Sequence, residues 1–127
     1  MIAYTCFGTN DLPRAKAFYD ALFGAIGIKR LMDWGEQGAA WGHDFAQPMF
    51  GVLTPYDRRP ATAGNGTMIS ILCKSEAEVR ALHAKALELG GRDEGAPGPR
   101  SEGFYAGYFR DLDGNKLNGF YMAPPAG

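Results

Sequence analysis

Two histidines and two cysteines are the side chains of this 127-residue chain best suited to acid–base, nucleophilic or metal chemistry. His43 lies in Trp41-Gly42-His43-Asp44-Phe45, a segment read as part of a strand. A general base there needs a partner acid and access to a cavity. The favoured reading is a histidine on a strand surface or at a dimer contact. His83 falls within an amphipathic run, at the position equivalent to Tyr19, where packing or solvent exposure is expected. Cys6 has no base at a readable spacing, and a free cysteine most often serves as a small buried hydrophobe. Cys6 and Cys73 fit no zinc or redox spacing, and free thiols point to a cytoplasmic location. Arg110, Asp111 and Asp113 belong to Asp111-Leu112-Asp113-Gly114-Asn115, where Asp and Gly supply turn chemistry. The aromatics Trp41, Phe50 and Tyr105 could stack on a planar or apolar ligand or fill the core, and composition does not separate the two.

The elements that position these residues occur twice. Asp11 opens one amphipathic run and Ser75 another, offset by 64 residues (75 − 11). The same offset sets Ala15 on Val79, Phe18 on Leu82, and Tyr4-Thr5-Cys6 on Met68-Ile69-Ser70. Strands are predicted over 2–7, 28–32, 38–45, 49–54, 67–73, 105–110 and 116–121, with a short one over 92–94 before a loop over 95–99. Asn10-Asp11 caps the first helix, Pro13 is tolerated in its first turn, and Gly24 ends it. Ser75 and Glu78 form a capping box for the second helix, which Gly90-Gly91 closes. Residues 57–65 read as a linker between modules 1–56 and 66–122 of one domain, with a loose tail from Ala123. The fold class is α+β: two βαβββ modules with pseudo-two-fold symmetry, mixed sheets curled around a central cavity, and helices outside. Alternation puts Tyr4, Cys6 and Gly8 on one face of the first strand, and Met68, Ser70 and Leu72 on its counterpart. Tyr4, Cys6, Met68 and Ser70 are candidate cavity-lining residues, because such clefts join apolar walls to a few polar groups.

Composition narrows the function classes. With 46% hydrophobic and 21% charged residues the chain is of globular type, and its net charge of −1 excludes the basic stripe of a nucleic-acid binder. No apolar run approaches the ~20 residues that span a bilayer, and the first residues lack the pattern of a signal peptide.

Several motifs together resemble the vicinal oxygen chelate superfamily, which includes glyoxalase I, bleomycin-resistance proteins and extradiol dioxygenases. They are Asn10-Asp11-Leu12-x-x-Ala15-x-x-Phe18-Tyr19, Gly64-Asn65-Gly66-Thr67, Gly90-Gly91, Gly95-Ala96-Pro97-Gly98-Pro99-Arg100 and Tyr108-Phe109-Arg110-Asp111-Leu112-Asp113-Gly114-Asn115. The resemblance covers residues 1–121. It implies a cavity where metal-dependent members hold a divalent ion on His and carboxylate ligands. Those positions fall here on Tyr4, Met68, Asn118 and near Val52, give or take one residue for the last. Phenol, thioether, isopropyl and amide make a poor set for a hard divalent cation. The resemblance therefore implies a metal-independent member, with no cofactor, whose cavity binds a small organic molecule. A glyoxalase-type lyase or isomerase using other ligands or none is the alternative, and a dimerisation domain retaining only the fold is a third. A homodimer is expected, because Trp34, Trp41 and the aromatic-rich hairpins exceed what a small core readily hides.

Overall fold

The computed structural model describes residues 1–124 and builds each half of the chain from one series of elements. The first half runs β1 (Tyr4–Gly8), α1 (Leu12–Gly24), β2 (Lys29–Asp33), a 3-10 turn (Gly35–Gln37), β3 (Gly38–Gly42) and β4 (Met49–Leu53). The second runs β5 (Met68–Leu72), α2 (Glu76–Glu88), β6 (Arg92–Ser101), β7 (Phe104–Arg110) and β8 (Lys116–Met122). Each half forms a four-stranded mixed sheet of the same design, β1-β4-β3-β2 and β5-β8-β7-β6. The first and last strands of each module pair in parallel, and the remaining pairs are antiparallel. The expected α+β arrangement of two βαβββ modules is thus observed. The expected tail begins at Ala123 and Pro124, which lie outside any element, and its remaining positions 125–127 lie outside the described residues.

The 64-residue offset holds from β1 to β5 and from α1 to α2, residue for residue. Later it changes. Tyr4 pairs with Met49 as Met68 pairs with Lys116, so the last strands are related by 67 residues (116 − 49). The extra residues fall between helix and final strand, where β6 and β7 are longer than β2 and β3.

Caps set both helices. The Asp11 carboxylate accepts a hydrogen bond from Arg14 N at 3.1 Å, and the Ser75 hydroxyl accepts from Glu78 N at 3.1 Å. Each satisfies one of the orphan donors of a first turn. The return half of the capping box differs from expectation, since Glu78 Oε1 accepts from Lys74 N, one residue before the cap. Gly24 is still helical; the chain leaves the helix through Ala25, and the left-handed φ of 77° falls on Gly27.

One hydrophobic core serves both modules. Phe18, Tyr19, Leu22 and Phe23 of α1 meet Phe7, Trp41, Phe50 and Val52, and the same cluster continues through Ile71, Val79, Leu82, Phe109 and Leu117. The helices touch each other and keep their outer faces, including Arg14, Ala17, Arg80 and Ala84, in solvent. α2 packs closely on β8 at Gly119, where a Cβ would stand 3.5 Å from Val79 Cα and 3.2 Å from Leu82 Cδ2.

Two segments differ from the sequence reading. β3 stops at Gly42, so His43 sits in an exposed bend rather than on a strand. The expected short strand over 92–94 and loop over 95–99 form one ten-residue strand, β6. Its two prolines are tolerated because β6 is the edge of its sheet and its register with β7 shifts at three places.

Candidate functional site

Strand alternation sorts the nine candidate residues by face. On β1, Phe7 turns toward α1 and meets Phe50 at 5.7 Å between ring centres, so Tyr4, Cys6 and Gly8 face the other way. Tyr4 is 55% exposed and Met68, its counterpart on β5, is 41% exposed; Ser70 is exposed beside it. These three candidates, with Cys6, therefore stand on sheet faces that are open in the chain. Asn118 shares its face with Ser70, to which it is paired, but it is buried and its Oδ1 receives no hydrogen bond.

Two expectations are corrected. Val52 pairs with Phe7 and lies in the helix-facing core, not beside Tyr4. The register assigns its supposed place to Gly51, which pairs with Cys6 as Asn118 pairs with Ser70. A Cβ on Gly51 would meet Cys6 Sγ at 3.0 Å, which fixes both on the open face. Tyr105 also turns to the helix side, where its ring sits under the Arg80 guanidinium and its hydroxyl accepts from Arg80 at 3.3 Å. Trp41 packs in the core and also borders the cleft between the modules: its indole N–H donates to Asp20 at 2.9 Å, and its ring packs on Tyr19 and Phe23.

The ligand positions of a metal-dependent relative thus carry a phenol, a thioether, a hydrogen atom and an amide. That set does not fit a hard divalent cation, which needs carboxylate or imidazole donors. Among the described residues no group of three or more His, Cys, Asp or Glu side chains is placed to hold a metal ion. The buried Asn118 Oδ1 is one unpaired acceptor and not a ligand shell.

A cleft of about 810 Å³ runs between the modules. Trp41 and Phe50 form its floor on the first-module side, and Ile71 and Tyr121 its wall on the second. Ile2, Leu72 and Met122 border it as exposed apolar side chains. Consecutive residues from Ile69 to Lys74 line it because β5 is an edge strand whose outer side faces the cleft. Only Ser70 of the polar candidates reaches it, and Trp41 and Phe50 of the aromatic ones. Cys73 also lines it, with a thiol pushed up to about 11 by burial, so it is held as the neutral thiol. His43 and Lys74 stand among the lining residues, whereas no Asp or Glu does. The sequence reading missed Lys74 and Ile71; the signal was present in the strand ending Ile71-Leu72-Cys73-Lys74, next to a helix cap.

A second cavity of about 470 Å³ lies between Cys6, Gly8 and the segment Thr54–Thr62. Burial raises the Cys6 thiol above its ordinary value, and no base or cation is bonded to it, so nothing activates it as a nucleophile.

The modules are joined near Gly8 by a cluster that sequence reading assigned to turn formation alone. Asp111 accepts from Tyr19 Oη at 2.5 Å, from Asn115 Nδ2 at 3.1 Å, and from the Asp113 and Asn115 amides at 2.9 Å each. Asp113 accepts from the Thr9 hydroxyl at 2.5 Å and from Asn10 N at 2.9 Å, while Asn115 Nδ2 donates to the Gly8 carbonyl at 3.0 Å. The β7–β8 turn therefore grips the β1–α1 connection. Desolvation raises the Asp111 carboxyl above its usual range despite these donors, and burial with the Asp111 charge raises Tyr19 well above that of a free phenol. The cluster ties the two modules together, and its Gly8 end borders the second cavity.

Comparison with solved structures agrees with this architecture. A glyoxalase/bleomycin resistance protein from Albidiferax ferrireducens is 34% identical, with a TM-score of 0.87 over 97% of this chain and 99% of that one. A lactoylglutathione lyase from Agrobacterium tumefaciens shares the fold at 22% identity and a TM-score of 0.69, covering 94% of this chain and 92% of that one. Glyoxalase I from Zea mays does so at 20% identity and a TM-score of 0.73, over 97% of this chain and 45% of the maize chain. No curated protein matches the sequence. The family model described as Glyoxalase/Bleomycin resistance protein/Dioxygenase superfamily matches residues 1–118. With nearly the whole chain matched, and with paired modules of the same topology, the protein belongs to the glyoxalase/bleomycin resistance protein/dioxygenase superfamily.

Proposed function

We propose that this protein binds a small organic molecule in the cleft between its modules and does so without a resident metal ion. The observation that carries the reading is the cleft itself. Its volume of about 810 Å³ falls within the ~300–1,000 Å³ typical of small-molecule sites, and its lining is mainly apolar with a few polar groups at the edge. The donor set at the metal positions supports binding without metal chemistry, since Tyr4, Met68, Gly51 and Asn118 provide no carboxylate and no imidazole. The lyase alternative draws on fold similarity to the lactoylglutathione lyase, and no arrangement of acid and base in the cleft favours it.

The active form in this reading is a cytoplasmic homodimer. Of the aromatics first expected to drive pairing, Trp41 is buried while Trp34 and most of the hairpin aromatics are part-exposed, and Tyr4 and Met68 add exposed side chains on the open faces. Two free cysteines accord with a reducing compartment.

Metal analysis and thermal melts test the reading together. Purified protein is expected to carry sub-stoichiometric divalent metal, and a chelator is expected to leave Tm unchanged. A ligand at a hundredfold excess over its Kd should stabilise the fold by ~2.7 kcal/mol, which a melt detects readily. The substitutions Tyr4→His, Met68→His and Asn118→Glu should create zinc or nickel affinity absent from the parent. Stoichiometric, tightly held metal in the unaltered protein would overturn the reading.

A further inference from the structure

We infer that the inter-module cleft selects an anionic amphiphile, an apolar chain bearing one carboxylate, over neutral or cationic molecules of the same shape. The inference rests on the proposed small-molecule reading and specifies its ligand class. Two observations carry it.

The first is the distribution of polarity. The floor is Phe50 and Trp41, the wall Ile71 and Tyr121, and three exposed apolar side chains, Ile2, Leu72 and Met122, stand around the opening. Side chains of that kind gain when an apolar body covers them, at ~25 cal/mol per Å² removed from water. A charged group of the ligand cannot follow into such a slot without losing its hydration, so it must remain at the edge.

The second observation is the sign of the charge at that edge. Lys74 is exposed and among the lining residues, His43 lies in an exposed bend also among them, and among the described residues no carboxylate lines the cleft. Neither Lys74 nor His43 takes part in any ion pair among the described residues. Lys74 is tied down only through its backbone, whose N–H donates to Glu78, which leaves its ammonium free. The outer edge of β5 adds peptide N–H groups that no neighbouring strand pairs, and these suit an anionic acceptor. The Glu78 carboxylate beside Lys74 is engaged by the Lys74 backbone N–H, so an anionic head gains the Lys74 ammonium as a partner that a neutral or cationic head does not use.

The test titrates octanoate, octanol and octyltrimethylammonium into the full chain at low salt. Trp41, which lines the cleft, reports by fluorescence, and Tm shift gives an independent readout. Octanoate is expected to bind about fivefold tighter than octanol, the preference one part-exposed ion pair of ~1 kcal/mol confers. It should bind tighter still than the ammonium, and its advantage should shrink in high salt. Lys74→Gln should abolish the preference, and Lys74→Glu should reverse it; both replace an exposed side chain and keep the fold. Equal affinity for octanoate and octanol in the parent overturns the charge assignment while sustaining the cleft as a small-molecule site. Failure of all three probes to bind overturns both the charge assignment and the reading beneath it.

Discussion

Tyr19 shows how one residue can hold two modules together. Its ring lies within the core among Phe18, Phe23, Trp41 and Phe50, and its hydroxyl reaches the Asp111 carboxylate at 2.5 Å. A hydrogen bond to a buried charged acceptor contributes roughly 1.5–3 kcal/mol. Tyr19→Phe keeps the packing and removes only that bond, so denaturant unfolding should give a loss in that range with an unchanged m-value. The two cysteines make a second test at this scale. Cys73 is buried with its thiol at about 11, while Cys6 is part-exposed. A thiol reagent at mildly alkaline pH is expected to modify Cys6 first in the native protein, and Cys73 only as the chain unfolds. Mass-spectrometric mapping of the first site modified checks the order, and early labelling of Cys73 would contradict it.

Elements are positioned here by absent side chains as much as by present ones. Gly91 follows α2, and a Cβ on it would meet the Ala86 and Arg110 carbonyl oxygens at 2.7 Å each. Both obstacles are backbone, one on the helix and one on β7, so neither can rotate away. The Gly91 amide meanwhile donates to Ala86 O at 2.8 Å and closes the helix. Gly91→Ala should therefore destabilise by about 3 kcal/mol, the upper part of the range for overpacking, and should pry α2 from β7. Thermal unfolding measures the loss; a variant as stable as the parent would show that the backbone yields more easily than this geometry allows. Gly90, with φ of 96°, supplies the left-handed step just before it, which explains why a glycine pair stands there.

For the whole molecule, stability should depend on pH through a few carboxylates. Asp33 is held below its usual range by the Gly35 amide and then Lys16, Asp93 by the Gly95 amide and then His83, and Glu94 by Arg110. A carboxyl depressed in the folded state contributes stability above its unfolded value and loses it as pH falls through the folded one. Asp111 acts in the opposite sense, since desolvation raises it and the native state binds its proton more readily than the unfolded chain does. The three depressed groups lie on β2 and β6, so acid should weaken the outer strands of both sheets. Unfolding free energy is expected to fall as pH drops through and below the ordinary carboxylate range. The double variant Asp33→Asn, Asp93→Asn should be less stable at neutral pH and show a shallower acid loss. An equally steep loss in that variant would place the acid sensitivity elsewhere.

The sequence by itself determined the modular plan. Helical periodicity, the caps at Asp11 and Ser75, and the Asp-Gly turn are local signals, each decided by residues within a few positions of one another, and the structure reproduces them. It also determined that Tyr4 and Met68 share the open faces of equivalent strands, because alternation has a period of two. Tertiary structure alone decided the rest. A one-residue slip in register carries a side chain to the opposite face of its sheet. That is why Val52 went to the core and Gly51 took the place beside Cys6, with the offset drifting from 64 to 67 between helix and last strand. Which aromatics reach the cleft depends on what lies over them: Tyr105 is covered by Arg80 of α2, whereas Trp41, though bonded to Asp20 of α1, still forms part of the floor. The cleft with Lys74 at its edge exists only because two modules, distant in sequence, leave the outer side of β5 uncovered, and no local pattern encodes that gap.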